Sequence, residues 1–333
     1  MNNYSEKIFL VTGVAGFIAS HIAEFLLQNG AKKVVGIDNM SAGLQENIDL
    51  LQQYDHFEFI YGDLTDLNIC HKACKGVDVI CHQAAVGSVP RSVKTPELTT
   101  SSNILGFVNL VVAARDAGIR RIVFASSSSV YGDEPNLPKV ELRIGKPLSP
   151  YAITKHTNEV MAWNFAALYD MEFIGFRYFN VFGPRQSPNG AYAAVIPLFV
   201  DACLSNSPAY LNGDGLQTRD FTYIDNVVQA NVKAMFTENK AAVNQVYNIG
   251  LGGRYTLLDL YSTIAELTGC SRPPSFREPR AGDIRDSQAN IDKAQELLNY
   301  APEIGFREGL HRTVEWFKKH HAPVLTPTMA ISQ

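Results

Sequence analysis

Residues 7–19 read KIFLVTGVAGFIA, and this stretch decides the fold. It begins with an apolar run of strand length. A glycine-rich turn follows, and a helical pattern then runs to Asn29-Gly30. The glycines fall as GxxGxxA at Gly13, Gly16 and Ala19. The first permits a tight turn. The second lets backbone N–H groups approach a pyrophosphate at a helix N-terminus. The third position needs a small residue where helix and strand pack closely, and alanine is small enough. Any strand-to-helix turn favours glycine, so the pattern alone is weak evidence. A second strand, Val34 to Ile37, ends in Asp38, about 20 residues beyond the glycines. A carboxylate there can bond the ribose hydroxyls of an adenosine and would repel a 2′-phosphate. The plain alternative is a solvated aspartate in a turn. The strand–turn–helix context supports dinucleotide binding, and the Asp38 carboxylate favours NAD over NADP.

The alternation of strands and helices continues. Phe57–Tyr61 is a short strand followed by Gly62-Asp63-Leu64, where Asp63 could bond the adenine amino group. Val77–His82 leads into Gln83-Ala84-Ala85, a stretch that lets backbone approach a cofactor. Leu98–Ala117 reads as one long helix containing Asn103, and Ile119–Ala125 as a fifth strand. Repeated βα units with apolar strands imply a parallel sheet covered on both faces, a doubly wound α/β fold of Rossmann type. Ligands then sit beyond the strand C-termini. Gly13, Asp38, Asp63, Ala84 and Ser126–Ser129 all fall there.

The last of these stretches carries the chemistry. It reads SSSSVYG from Ser126, then a loop rich in Pro and Gly, then SPYAITK. Tyr151 and Lys155 are four apart at the start of a helix, so they share one face. A free tyrosine loses its proton near pH ~10. A neighbouring ammonium favours the phenolate, and a tyrosine tuned this way acts as a base near neutral pH. The serines supply hydroxyls that relay a proton. Alone, YxxxK describes many surface helices; its place at the end of the sheet raises it to a catalytic candidate.

Composition is that of an ordinary soluble enzyme. The chain has 333 residues, 46% of them apolar, and a net charge of −4 without blocks of like charge. Nucleic-acid binding therefore has no electrostatic footprint. Five scattered cysteines (70, 74, 81, 203 and 270) point to a reducing, cytoplasmic compartment rather than a disulfide framework. Cys70 and Cys74 lack a second ligand pair, so no metal site is expected. The N-terminus MNNYSEK lacks the basic and apolar regions of a signal peptide. No apolar run approaches the ~20 residues of a membrane span.

TGVAGFIAS, DN, GDL, HQAA, SSSSVYG and YAITK, followed by RYFNVFGPRQ (177–186), RDFTYIDN (219–226), YNIG (247–250) and RAGD (280–283), resemble the extended short-chain dehydrogenase/reductases over residues 7–318. Ala19 departs from the glycine usual there. The resemblance implies a nucleotide-sugar epimerase or dehydratase with bound NAD. It implies a cofactor part over 1–180, to which segments about 220–250 return, and a smaller substrate part over 181–321; the tail over 322–333, ending VLTPTMAISQ without a helical pattern, reads as loose. It places Phe17, Ile18, Asn39, Leu64, Gln83, Ala84, Ala85, Asn103 and Phe179 with Gly13, Gly16, Asp38 and Asp63 around NAD, together with Tyr151 and Lys155. Dehydratases of the family carry an Asp-Glu pair before VYG, and uronate decarboxylases a Glu; here Ser128 and Ser129 stand, which leaves simple 4-epimerisation. Ser127 matches the catalytic serine of UDP-galactose 4-epimerases, and Ser128 assists.

The resemblance also implies the substrate contacts. Asn180 matches an asparagine on the sugar-nucleotide phosphate. Arg219 and Arg280 match diphosphate-gripping arginines, whose planar fork suits phosphate. Asp283 matches a carboxylate on the uridine ribose, and Val195, Tyr210 and Asn212 complete the set. GSVPRS (87–92) and SPNGAYAAVIP (187–197) resemble bacterial UDP-N-acetylglucosamine 4-epimerases of surface-polysaccharide pathways. Ser287 aligns with the tyrosine that walls the pocket of epimerases excluding N-acetylated sugars. A small residue leaves room for a 2-acetamido group, with Gly87, Ser88, Ser129 and Ala194 lining the pocket. The alternatives are a UDP-glucuronate or UDP-glucose 4-epimerase, or a non-catalytic NAD-binding relative; the presence of both Tyr151 and Lys155 speaks against the last. A homodimer is expected through the 98–117 and 151–169 helices. Phe107, Leu110 and Val111, with Met161, Phe165 and Leu168, put apolar groups on more than one face. His320 and His321 have no ligand partners in sequence and read as solvated.

Overall fold

The computed structural model describes residues 3–189, 193–278 and 285–320. β1 (Ile8–Thr12) is followed by α1 (Phe17–Gln28), β2 (Lys33–Asp38) by α2 (Gln45–Leu51), and β3 (Phe57–Tyr61) by α3 (Leu67–Ala73). β4 (Val79–His82) leads through α4 (Val89–Lys94), α5 (Pro96–Thr100), a π-helical turn (Ser101–Leu105) and α6 (Gly106–Asp116) to β5 (Arg121–Ala125). α7 (Pro150–Tyr169) then feeds β6 (Glu172–Tyr178).

Beyond β6 the elements shorten to β7 (Val181–Phe182), α8 (Val195–Leu204), β8 (Tyr210–Asn212), β9 (Thr218–Arg219) and β10 (Thr222–Tyr223). α9 (Ile224–Phe236) and β11 (Gln245–Ile249) come back to the main sheet. β12 (Tyr255–Thr256), α10 (Leu257–Thr268), β13 (Ser275–Arg277), α11 (Asp292–Leu298) and α12 (Phe306–His320) follow. The short strands pair among themselves, β7 with β10, β8 with β13 and β9 with β12.

The main sheet has seven strands in the order β3-β2-β1-β4-β5-β6-β11, and every pair is parallel. This is the expected doubly wound α/β fold. The strand order reverses between β1 and β4, so a crevice opens beyond their carboxyl ends. Thr12 sits level with Ile37 of β2 and His82 of β4. Side chains alternate across the sheet. Phe9, Val11 and Val123 join a layer with Ile22 of α1 and Val227 of α9. Leu10, Ile122 and Phe124 join the opposite layer with Cys70 of α3 and Leu110 of α6. Burying each such side chain contributes roughly 1.5–3 kcal/mol. With both faces covered, the chemistry is confined to the strand ends.

Two expectations about the helices need correction. The single helix over 98–117 is interrupted at Ser101–Leu105 by a π-helical turn, which turns Asn103 inward at 1% exposure. Phe107, Leu110 and Val111 are not on an outer face; all three are fully enclosed in the sheet layer. Met161 and Phe165 pack against that same layer, and only Leu168 is exposed. The outward apolar residues are Leu98 and Leu105, with Ile153, Val160 and Trp163 on α7.

Candidate active site

β1 ends at Thr12 and the chain turns at Gly13, where φ is +70°. A Cβ at Gly13 would lie 2.8 Å from Ala84 Cα and 2.9 Å from Ala84 N. Only glycine lets the turn after β1 pass the turn after β4 so closely. Gly13 N–H donates to Ile37 O at 2.8 Å, and Ala84 N–H to Thr12 Oγ1 at 3.2 Å. Thr12 Oγ1 is 2.8 Å from His82 Nδ1. Burial, and then the charge of Lys155, push His82 down to about 3, so its imidazole is neutral. This Thr12–His82 support was not read from the sequence.

α1 begins after Gly16 with no side chain capping its first N–H groups, which leaves them for an anion. Asp38 closes β2. Its Oδ2 accepts Ala15 N–H at 3.0 Å and its Oδ1 Met40 N–H at 2.8 Å, yet burial raises its pKa. Asn39 donates to Asp63 Oδ2 at 2.7 Å. Burial works against the Asp63 carboxylate, but hydrogen bonds from Thr65 and Asn39 outweigh it and hold its pKa below the ordinary value. Gly13, Gly16, Asp38, Asn39, Asp63, Leu64, Gln83, Ala84 and Ala85 line one cleft. Gln83 Nε2 donates to Asn231 Oδ1 at 3.1 Å, whereas Gln83 Oε1 is buried without a protein partner. An open glycine cradle, uncapped N–H groups, a carboxylate at the end of β2 and an orphaned amide oxygen fit a dinucleotide.

Two residues assigned to NAD sit behind this wall. Asn103 Oδ1 accepts Val86 N–H at 2.7 Å, and its Nδ2 donates to Thr154 Oγ1 at 3.1 Å, tying the loop after β4 to α7. The Phe179 ring is wholly enclosed and tilts on Tyr131 at 6.1 Å.

A second cleft of about 910 Å³ continues from the first. Phe17, Ile18, Gly87, Ser127, Ser128, Ser129, Tyr151, Lys155, Asn180, Arg219 and Ser287 are among its walls. Ser149 caps α7 through Ala152 N–H at 3.1 Å, and Pro150 takes the first helical position. Tyr151 therefore enters at the first turn, over the end of β5. Ser127 and Tyr151 share the cleft wall, and Ser127 is the polar neighbour that favours the Tyr151 phenolate. Ser127 Oγ accepts Ser129 Oγ–H at 3.0 Å and Ser129 N–H at 3.2 Å. With both bonds from Ser129 accepted at its oxygen, the Ser127 hydroxyl keeps its one hydrogen for another acceptor.

The expected lowering of Tyr151 by Lys155 does not hold here. Burial pushes the phenol up, and Ser127 opposes it only in part. The Lys155 ammonium donates to Ala125 O at 2.8 Å and stands 5.9 Å from the centre of the Tyr151 ring. Burial lowers Lys155 to about 8. Sequence spacing put the two groups on one face but could not weigh desolvation against charge.

Of the remaining substrate candidates, Asn180, Arg219 and Ser287 share the wall of this cleft, whereas Ser88, Ala194, Val195, Tyr210 and Asn212 are not among its lining residues. Asn180 has φ +26° and donates Nδ2–H to Asp220 O at 3.0 Å. Arg219 Nη1 donates to Arg285 O at 3.1 Å. Ser287 N–H donates to Thr218 O at 3.1 Å, fixing its backbone on the cleft wall. Ser88 caps α4 through Arg91 N–H at 3.2 Å. Ala194 and Val195 open α8. Tyr210 and Asn212 belong to β8, and the Arg277 guanidinium lies 3.2 Å from the centre of the Tyr210 ring. Arg280 and Asp283 lie outside the described residues.

Comparison with known proteins agrees with this geometry. A UDP-glucose 4-epimerase of Mycolicibacterium smegmatis is 39% identical over 311 residues, which is 93% of this chain and 98% of that protein. The UDP-N-acetylglucosamine 4-epimerase from Methanobrevibacter ruminantium M1, solved with UDP-N-acetylmuramic acid, is 36% identical with a TM-score of 0.89, covering 94% of this chain and 99% of that one. The UDP-glucuronic acid 4-epimerase from Bacillus cereus, solved with UDP-glucuronic acid and NAD, is 32% identical with a TM-score of 0.88, covering 94% and 99%. Residues 9–250 match the profile of one family. The chain belongs to the NAD dependent epimerase/dehydratase family.

Proposed function

We propose that this chain is a UDP-hexose 4-epimerase acting best on UDP-N-acetylglucosamine, with UDP-N-acetylgalactosamine as product. One observation supports that choice of sugar above others. The cleft that holds Ser127 and Tyr151 is walled in part by small residues, Gly87, Ser129 and Ser287, and by the apolar Val89, Pro90, Val93 and Leu148. Small and apolar neighbours suit an acetyl methyl. Among the described wall residues the cations are Lys155 and Arg219. With Arg219 assigned to the diphosphate and Lys155 to catalysis, neither is left for a uronate carboxylate. No described wall residue is an Asp or Glu, which agrees with epimerisation without elimination.

Tyr151 takes the 4-hydroxyl proton, directly or through Ser127. NAD held in the neighbouring cleft would supply a positive ring charge and a reversible hydride acceptor for C4, so that proton and hydride loss would give a 4-keto sugar. With the sugar free to turn about its diphosphate link, hydride would return to the other face, and Tyr151 would give the proton back to the oxygen. The arrangement calls for a firm hold on UDP by Asn180, Arg219, Arg280 and Asp283, and a loose hold on the sugar by small residues. Binding energy on the nucleotide then serves to position the reacting carbon. In this reading residues 1–180 and about 220–250 hold NAD, and most of 181–321 holds substrate.

A homodimer belongs to the same proposal. Ile153, Val160 and Trp163 stand on one side of α7 at about half exposure, and Leu98 and Leu105, on the α5 and π-helical segments that pack against α7, are exposed to the same degree. A second copy would cover them in a four-helix contact. Five unpaired thiols support a cytoplasmic setting, and among the described residues no helix is long and apolar enough to cross a membrane.

The relative named as a UDP-glucose 4-epimerase favours UDP-glucose as the second reading. Incubation with UDP-GlcNAc, UDP-Glc and UDP-GlcA, with epimers followed by NMR, decides between them. The highest kcat/KM is expected on UDP-GlcNAc; a higher value on either of the others overturns the choice. Tyr151→Phe, which removes only the phenolic oxygen, is expected to keep the fold and NAD and lose most turnover. Near-normal activity in that variant would reject Tyr151 as the base.

A further inference from the structure

Two successive residues at the end of β5 are tied to α7, and a third, Ser127, shares the cleft wall with Tyr151. Ala125 O accepts Lys155 Nζ–H at 2.8 Å, and Ser126 Oγ–H donates to Glu159 Oε1 at 2.5 Å. The second tie uses a carboxylate that is 1% exposed. Arg177 of β6 holds it from the other side with two bonds, Nε to Oε1 at 2.9 Å and Nη2 to Oε2 at 2.8 Å. Arg177 Nη1 is spent on Glu141 O at 2.9 Å, and the guanidinium lies 4.9 Å from the centre of the Tyr131 ring. Ser126 is fixed a second time, through its N–H on Phe176 O at 2.7 Å.

We propose that Glu159 is a positioning residue for catalysis, holding the Ser127 turn against α7 and standing as a fixed counter-charge one helical turn beyond Lys155. If the pair merely fastened α7 to the sheet, an apolar pair of similar volume would serve as well, because burying two charges costs several kcal/mol per ion before their attraction offsets it. An apolar pair could not accept the Ser126 hydroxyl, nor place a negative charge near the ammonium. The groups facing Lys155 are Tyr151 and Glu159 on its own helix, His82 from β4 and, beyond Glu159, Arg177 from β6. His82 is neutral, and Arg177 is cationic and paired. Glu159 is thus the one anion among them, and it raises the Lys155 pKa against the burial that lowers it. Remove the charge, and Lys155 loses its proton at lower pH.

This inference rests on the proposed epimerase reading, in which Lys155 works as a cation beside Tyr151. The experiment measures kcat and KM against pH on the NAD-loaded enzyme with its best UDP-sugar, for wild type, Glu159→Gln and Glu159→Asp, with melting temperature and bound NAD recorded for each. In Glu159→Gln we expect kcat at pH 8 to fall at least tenfold with little change in KM, and the alkaline limb to move down by a pH unit or more. Glu159→Asp should recover the position of the limb. If Glu159→Gln does not fold, Glu159→Gln with Arg177→Leu removes both charges together and should still shift the limb downward. An unshifted limb in whichever variant folds overturns the proposal, even where kcat falls, because loss of packing alone does not move a titration. Tyr151→Phe separates the two readings. If it stays active, the epimerase site itself is misassigned. If it is inactive while the Glu159 variants keep the wild-type limb, only the role of Glu159 is rejected.

Discussion

Gly13→Ala tests the junction of β1, β4 and the cofactor cleft, and Gly30→Ala is its natural control. Both glycines have φ near the left-handed region, +70° and +77°. An L residue there costs roughly 1–2 kcal/mol. At Gly30 an added Cβ meets nothing within 4 Å, so that variant carries the backbone cost alone. At Gly13 the same Cβ would lie 2.8 Å from Ala84 Cα. The neighbour is backbone, held by Thr12 Oγ1, and cannot rotate away. Overpacking of this kind adds roughly 1–3 kcal/mol, giving about 2–5 kcal/mol in total for Gly13→Ala. At roughly 2 °C per kcal/mol for a chain of this size, calorimetry on NAD-free protein should show Tm falling about 2–4 °C for Gly30→Ala and about 4–10 °C for Gly13→Ala. The displaced turn also lines the cleft. NAD titration should therefore show Kd raised at least tenfold, about 1.4 kcal/mol, in Gly13→Ala and unchanged in Gly30→Ala. Equal Tm losses in the two variants, or a Kd within twofold of wild type for Gly13→Ala, would refute the reasoning.

Ser287→Tyr adds a ring where the acetamido group is proposed to sit; kcat/KM for UDP-GlcNAc should drop at least tenfold while UDP-Glc is spared or improved. Equal loss on both would point to damage at the diphosphate site, and no loss on either would reject the alignment of the segment after RAGD. Lys155→Ala removes the cation at the base and should damage turnover as much as Tyr151→Phe; a variant with wild-type kcat would remove Lys155 from the mechanism. Trp163→Glu sets a charge in the exposed apolar side of α7 and should give a monomer by light scattering at micromolar concentration. A wild-type protein already monomeric there would reject the dimer.

The sheet was legible because its strands are short apolar runs closed by Gly, Asp or Ser, and that punctuation survives tertiary context. The glycine turn, Asp38 and the serine cluster were legible for the same reason: each is a residue type forced by the end of a strand. What the sequence hid depends on which way a helix faces. Phe107, Leu110 and Val111 are as apolar as a dimer seam would require, yet the sheet claims all three. Periodicity counts apolar residues without saying what covers them. Asn103 sat in the right segment, but the π-helical turn points it at Val86 and Thr154. Glu159 carried no signal in sequence, and Arg177, though it opens RYFNVFGPRQ, had nothing to mark Glu159 as its partner. They are 18 positions apart, and only the packing of α7 on β6 makes them a pair.

The place of β11 has a consequence for the birth of the molecule. β6 is hydrogen-bonded on one side by β5 and on the other by β11, and the 66 residues from 179 to 244 lie between Tyr178 and Gln245. At ~5–20 residues per second of synthesis, roughly 3–13 s pass between completion of β6 and arrival of its last neighbour. During that interval Phe173, Ile174 and Phe176 stand on a bare parallel edge, the kind of edge that invites pairing with another nascent chain. The short strands made in the meantime do not close it: β7 and β10 pair with each other, and β8 and β9 pair with β13 and β12, which come later in the chain. The polypeptide therefore leaves the ribosome with its vulnerable strand made early and its shield made late, and slowing translation between 179 and 244 should raise the aggregated fraction more than the same pause placed after residue 250.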